Sequence, residues 1–258
     1  MQVFINLAYL VAAILFIFGI KGMTTPKTAV RGNQMSAVGM LIAVIAALLE
    51  HHVVTYGYII IGVIIGAGIG TFLARKVQMT SMPEMVAALN GFGGGASLLV
   101  ASANYLEMQQ AAALPAGTLM GMPEVSLMWS VALILSILIG AVTLTGSFVA
   151  VGKLMGKLGD PSSIGMFKMI VKICFALLIA GAIYFVADDP LEHSNLLIVM
   201  VVICLLLGVA LVIPIGGADM PVVIALLNSY SGLAGSATGF VLGNNGLIIT
   251  GSLVGASG

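Results

Sequence analysis

Apolar residues run along this chain in long blocks broken by short polar connections. A bilayer core about 30 Å thick is crossed by roughly 20 residues of helix, and nine such blocks begin near Val3, Ser36, Gly57, Pro83, Val125, Met166, Asn195, Met220 and Asn245. Polar and apolar residues do not alternate within them, which argues against barrel strands. Open strands would leave backbone N–H and C=O groups unpaired in hydrocarbon. The pattern therefore predicts an all-α, polytopic transmembrane helical bundle of about nine helices over residues 1–258. The first block, VFINLAYLVAAILFIFGI, has no basic stretch before it and is too long for a signal-peptide core, so it reads as a retained span. The last, NGLIITGSLVGASG, offers fourteen residues where roughly 20 are wanted. The expectation is a chain that stops partway through its final helix, with more sequence on the cytoplasmic side.

Composition agrees with a lipid solvent. Of 258 residues 60% are apolar and 7% charged, against roughly a quarter charged in a soluble domain. The formal net charge is zero, which leaves no basic surface for nucleic acid. Cys174 and Cys204 lie in apolar runs without a thiol or histidine at ligand spacing, so they read as packing residues, and no metal site is expected.

The few charges set the expected orientation. All nine basic residues fall in alternate connections: Lys21, Lys27 and Arg31; Arg75 and Lys76; Lys153, Lys157, Lys168 and Lys172. The other connections hold Glu50, Glu107, Glu124, Asp188, Asp189, Glu192 and the three histidines. By the positive-inside rule the N-terminus is predicted outside and the C-terminus cytoplasmic. His51, His52 and His193 then belong to exterior loops, where a plain loop role outweighs a proton relay. Arg75, Lys76 and Glu84 read as interfacial anchors.

Small and polar residues inside the blocks carry the candidate chemistry. The glycine runs GAGIG, Gly66 to Gly70, and NGFGGGAS, with Gly91, Gly93 and Ala96, superficially match nucleotide-binding turns. They lie mid-helix without a strand before them, so close helix packing is the reading. On the fourth helix Asn90, Gly94, Ser97, Ala101 and Asn104 form one small, polar stripe. Ser136, Gly140, Thr143 and Ser147 do the same on the fifth, and Asn228, Ser231, Gly235 and Gly239 on the eighth. Counting helical rise puts Asn90, Ser147 and Asn228 roughly 9 to 12 Å from the cytoplasmic end, deep enough to share one polar layer. Such a layer is either interhelical glue or a wet path for protons or ions, with Ser97, Thr143 and Ser231 as further lining. Asp219, in IPIGGADMPVV, has the signature of a helix N-cap and could equally gate protons or meet a docked domain.

At these residues the sequence resembles the membrane portion of the β subunit of proton-translocating NAD(P) transhydrogenase. The matching stretches are AYLVAAILFIFGI, RGNQMSAVGM, VQMTSMPEMVAALN, GAVTLTGSFVAVGKL, GGADMPVVIALLNSYSG and LIITGSLVGASG. The resemblance implies a subunit of a redox-driven proton translocase in a bacterial inner membrane, or the mitochondrial one. It implies hydride transfer between NAD(H), on a partner α subunit, and NADP(H), on a C-terminal domain absent from this chain. This stretch would itself bind no cofactor and be inactive alone, and the complete complexes would form a dimer. Ser147, Asp219 and Asn228 fall where the family places proton passage or its coupling to NADP(H). Asn90 falls where some members have a histidine. Asparagine has no usable proton affinity near neutrality, so a titrating histidine is expected on the partner's membrane helices, facing Asn90. The rival readings are a stand-alone secondary transporter and a structural anchor for soluble subunits; no internal repeat and no buried charge pair supports the first.

Overall fold

A computed structural model describes residues 2–50, 56–113, 125–159 and 164–258. Among them lie nine α-helices and no strand: α1 Gln2–Met23, α2 Ala29–Glu50, α3 Tyr56–Lys76, α4 Met82–Ala112, α5 Leu127–Leu154, α6 Ile164–Ala187, α7 Ser194–Val212, α8 Met220–Leu242 and α9 Asn245–Ser257. Eight are long and apolar enough to cross a membrane, and α9 is the short one. Single 3-10 turns at Met79–Ser81, Pro190–Glu192 and Gly217–Asp219 precede α4, α7 and α8. One boundary differs clearly from expectation. The second helix starts at Ala29 rather than near Ser36, because helical hydrogen bonding continues past the apolar band into the polar residues around Arg31.

The chain divides into two compact units, Met1–Met85 and Val86–Gly258. In the first, α1 and α2 form a hairpin. The Thr28 hydroxyl donates to the Gly22 carbonyl at 2.6 Å and fixes the turn. The helices then approach so closely that a β-carbon on Gly22 would lie 2.9 Å from the Gly32 α-carbon. α3 has no buried residue, and β-carbons added at Gly66, Gly68 or Gly70 would meet nothing within 4 Å. The close packing expected at GAGIG is thus not made by the described residues of this unit. At the end of α3 the Lys76 ammonium lies 4.9 Å from the Phe72 ring, its stem along the helix as an interfacial lysine's would be.

The second unit is organised around α5. Of its apolar stretch 61% is buried, against 44% or less in every other span. Ser126 caps it, its hydroxyl accepting from the Trp129 amide at 3.1 Å. α5 packs against α7 and α8, and α7 also packs against α6. Leu133, Ile137, Phe185, Cys204 and Leu207 fill the apolar core between these helices. Both cysteines are buried, as their apolar surroundings predict. Polar ties cross-link the helices where lipid offers no hydrophobic drive. Thr145 Oγ1 donates to the Leu205 carbonyl at 2.9 Å, and Trp129 Nε1 to Asn104 Oδ1 at 3.0 Å. Tyr105 Oη donates to the Pro190 carbonyl at 3.0 Å and Gln109 to that of Leu191 at 2.8 Å, fastening α4 to the α6–α7 connection. α8 ends at Gly243, whose φ of 64° favours glycine. Asn244 Oδ1 then accepts from the Leu247 amide at 2.8 Å and starts α9. α8 and α9 form the tightest pair: a β-carbon on Gly251 would lie 2.7 Å from the Gly232 carbonyl oxygen, and one on Gly239 2.7 Å from the Ile248 amide nitrogen.

Candidate functional site

The stripes on α4 and α5 are two sides of one antiparallel seam. Asn90 meets Ser147, Gly94 meets Gly140 and Thr143, Ser97 meets Ser136, and Asn104 meets Trp129, so numbers rise on one helix as they fall on the other. Glycine closes the seam. A β-carbon on Gly94 would lie 2.8 Å from the Gly140 carbonyl oxygen, and one on Gly140 2.7 Å from that of Gly94.

At one end of the seam three helices meet on a single side chain. Asn90 Nδ2 donates to Ser147 Oγ at 3.1 Å, and Ser231 Oγ, from α8, donates to Asn90 Oδ1 at 2.7 Å. A carboxamide suits this place because it offers a donor to one hydroxyl and an acceptor to the other. Ser147 accepts from Asn90 and so keeps its own proton to donate. Asn90 is 9% exposed and Ser147 fully buried. Leaving either unpaired would cost about 1–3 kcal/mol, which ties the three helices to one register. The layer is neutral: among the described residues no carboxylate or imidazole takes part in it. It can order water or pass a proton along hydroxyls, but it cannot store one.

A second polar contact lies farther along the seam. Ser136 Oγ is 2.6 Å from Thr238 Oγ1 and donates to the Ser97 carbonyl at 3.3 Å. Eleven positions separate Ser136 from Ser147, about 16 Å of helix at 1.5 Å per residue. Between them Thr143 is fully buried, and its hydroxyl has no hydrogen-bond partner among the described residues.

The layer is not assembled quite as the sequence suggests. Asn228 is exposed and has no part in the Asn90 network. It lies toward the end of α9, where a β-carbon on Gly258 would come within 3.2 Å of its amide nitrogen. Ser231, three residues on, takes the inward position, because the register of α8 is set by its glycine packing on α9 as well as by α5. The expected cap at Asp219 also differs. Its side chain is exposed and makes no capping hydrogen bond. A capping side chain normally folds back from an extended residue, whereas Asp219 ends a 3-10 turn at φ −90°, ψ −1° and is already helical in shape. Thr238 and the buried Lys153, 5% exposed in the last turn of α5, are polar groups the sequence reading passed over. Thr238 falls outside the stripe counted through Gly235 and Gly239, and Lys153 looks like a loop charge beside Lys157.

The remaining polar candidates lie elsewhere. His51 and His52 fall outside the described residues. His193 sits in the α6–α7 connection, its Nε2 3.0 Å from Asp188 Oδ2. That hydrogen bond, with one from the Asp189 amide, holds the Asp188 carboxyl below the usual carboxylate range. Gly66 to Gly70 lie within α3, and Gly91 to Ala96 within α4. Their backbone N–H groups are in mid-helix rather than at the strand-to-helix turn that cradles a pyrophosphate, so these runs do not fit a dinucleotide.

These features define an integral membrane protein of the helical-bundle class with its polar groups gathered on an internal seam. The chain matches, over residues 5–258, the family described as the NAD(P) transhydrogenase beta subunit. NAD(P) transhydrogenase subunit beta of Rhodospirillum rubrum is 40% identical over 257 residues, covering 97% of this chain and 52% of that protein. The subunit from a defined strain of the same organism matches to the same extent. The chain belongs to the NAD(P) transhydrogenase β-subunit family. It spans about half the length of the curated relatives it matches, 52% in each case.

Proposed function

We propose that these helices are the proton-translocating membrane domain of a transhydrogenase in which hydride transfer between NAD(H) and NADP(H) is coupled to proton movement across a bacterial inner membrane. The observation that carries the reading is the buried Asn90–Ser147–Ser231 layer, a set of polar groups joining three helices of a membrane bundle in a chain of this family. Buried polar groups in a membrane are costly and tend to be kept for a pathway.

In this reading the nucleotides bind elsewhere: NADP(H) on the part of the relatives' length beyond the half matched here, NAD(H) on a partner α subunit. The complete complexes pair as a dimer. The N-terminus faces out and the basic connections face the cytoplasm, following the charge bias. Asn90, Ser147 and Ser231 order the water that carries the proton. Since none of them titrates near neutrality, the proton is held by a group on the α subunit's membrane helices that faces Asn90. Asn228 and Asp219, exposed on the first half of α8 and just before it, contribute to coupling rather than to the inner layer. Asp219 meets the NADP(H) domain, so that occupancy there and protonation in the bundle favour different arrangements of the two.

The test uses the complete β chain with its α partner in sealed liposomes, following NADPH-driven reduction of an NAD analogue together with a lumenal pH dye. A nucleotide-dependent pH change, and faster turnover when an uncoupler collapses it, is the expected result. Hydride transfer with no pH change would reduce these helices to an anchor.

A further inference from the structure

We infer that Lys153 is a positioning residue for coupling: buried between the end of α5 and the α7–α8 connection, it holds the turn that carries Asp219 in register with the helix that carries Ser147. The inference rests on the proposed proton path and names the part that links its inner layer to its rim.

Lysine is rarely buried, because an ammonium group loses its hydration there. Lys153 is 5% exposed and is the one charged side chain buried among the described residues. The other eight basic residues are exposed, Lys157 one turn farther on included. An interfacial anchor would extend its amino group into water as those do. An apolar side chain would fill the same space without the cost of desolvation, so lysine is present at this position for its polar end.

The packing shows what this end of α5 meets. α5 and α8 run antiparallel: a β-carbon on Gly146 would lie 3.4 Å from Leu227 Cδ1, and one on Gly217 3.9 Å from the Lys153 carbonyl oxygen. The Gly146 β-carbon would also lie 3.1 Å from Cγ2 of Val212, the last residue of α7. The connection from Ile213 to Asp219 therefore runs down the last two turns of α5, from the level of Gly146 to that of Lys153. Ile213 and Ile215 pack on the apolar cluster that Val149 and Ala150 share with Val212 and Met220. Lys153 follows Val149 and Ala150 at helical spacing, continues their face and closes the end of that cluster. A helical side chain leans toward the N-terminus of its helix, which lays the lysine back along the connection.

Two parts of the proposed mechanism meet at this residue. Ser147 lies six positions earlier on α5, about 9 Å of helix, and the turn Gly217–Asp219 packs on both α5 and α8. The end of α5 is itself tied off, the Lys157 and Leu158 amides both donating to the Gly152 carbonyl, at 2.9 and 3.1 Å. A domain that displaces Asp219 moves the connection. With Lys153 wedged beneath it the end of α5 moves too, and the displacement reaches the Asn90–Ser147 layer.

The experiment measures protons moved per hydride transferred for Lys153→Met, Lys153→Arg and Lys153→Met combined with Asp219→Asn, in the full complex in sealed vesicles, beside Asn90→Leu. A purely structural lysine would lower the amount of working complex but leave this ratio alone. Lys153→Met should lower the ratio about tenfold, a usual size for coupling between two sites, and Lys153→Arg should stay near wild type. The double variant should lose no more than the worse single one, because both act through one link. Where Lys153→Met does not assemble, Lys153→Gln reads the same ratio. A wild-type ratio in the Met or Gln variant, or losses that multiply in the double variant, would overturn the role of Lys153; if Asn90→Leu still loses the ratio, the proton path stands. If Asn90→Leu keeps it as well, the path itself is wrong.

Discussion

Asn90 shows how one side chain can join three helices. Its amide is the one group in the layer that both donates to Ser147 and accepts from Ser231. Interhelical hydrogen bonds of this kind in membranes are worth about 0.6–2 kcal/mol each. Truncating either serine to alanine should therefore lower stability modestly and disturb transport more than folding, checked by thermal unfolding in detergent beside vesicle pumping. Asp219 makes the opposite prediction. With no capping bond to lose, Asp219→Asn should leave stability within about 0.5 kcal/mol while coupled turnover drops, whereas Asp219→Glu keeps activity. A fall in melting temperature matching the loss of activity would return Asp219 to a structural role. In the α6–α7 connection the Asp188 carboxyl is depressed by His193 and the Asp189 amide. A depressed folded value means the contact is fully present above the ordinary carboxylate range and is lost only as pH falls below it. Infrared titration of the carboxylate against the Asp188→Asn variant should show Asp188 ionised where the ordinary aspartates are already protonating. Protonation at the ordinary value would contradict the pairing.

At the scale of helices, the blocks of hydrophobicity located every element, and the starts agree within about two residues except at α2, where boundaries are least certain. The stripes on α4 and α5 were legible because each runs along one helix face, and the pairings from Asn90–Ser147 to Asn104–Trp129 follow it turn by turn. On α8 the same reasoning chose Asn228 over Ser231. Residue polarity ranks them that way, but nothing in a single helix says which of its polar faces will meet α5 once another face is claimed by α9. That claim is steric: Gly232, Gly239 and Gly251 stand at backbone contact. Gly251→Val should destabilise the α8–α9 pair by about 1–3 kcal/mol, since the added carbons meet backbone that cannot rotate away. Gly68→Val, on the open α3, should be tolerated. Thermal unfolding of the two variants checks this, and equal loss at both would mean that α3 packs as tightly as α9.

On the scale of the whole molecule, composition and charge reveal a membrane bundle, and the family match places it among transhydrogenase β subunits. What the sequence could not supply was which residue of α8 closes the layer on Asn90, Ser231 rather than Asn228. In the proposed function, asparagine at position 90, which has no usable proton affinity near neutrality, puts proton storage outside this chain and leaves it the work of ordering the path. The most direct test replaces Asn90 with leucine in the complete complex and measures protons moved per hydride transferred in sealed vesicles. The account predicts nucleotide binding unchanged and coupled proton transport reduced about tenfold or more. Asn90→Leu vesicles that pump at the wild-type ratio and rate would contradict it.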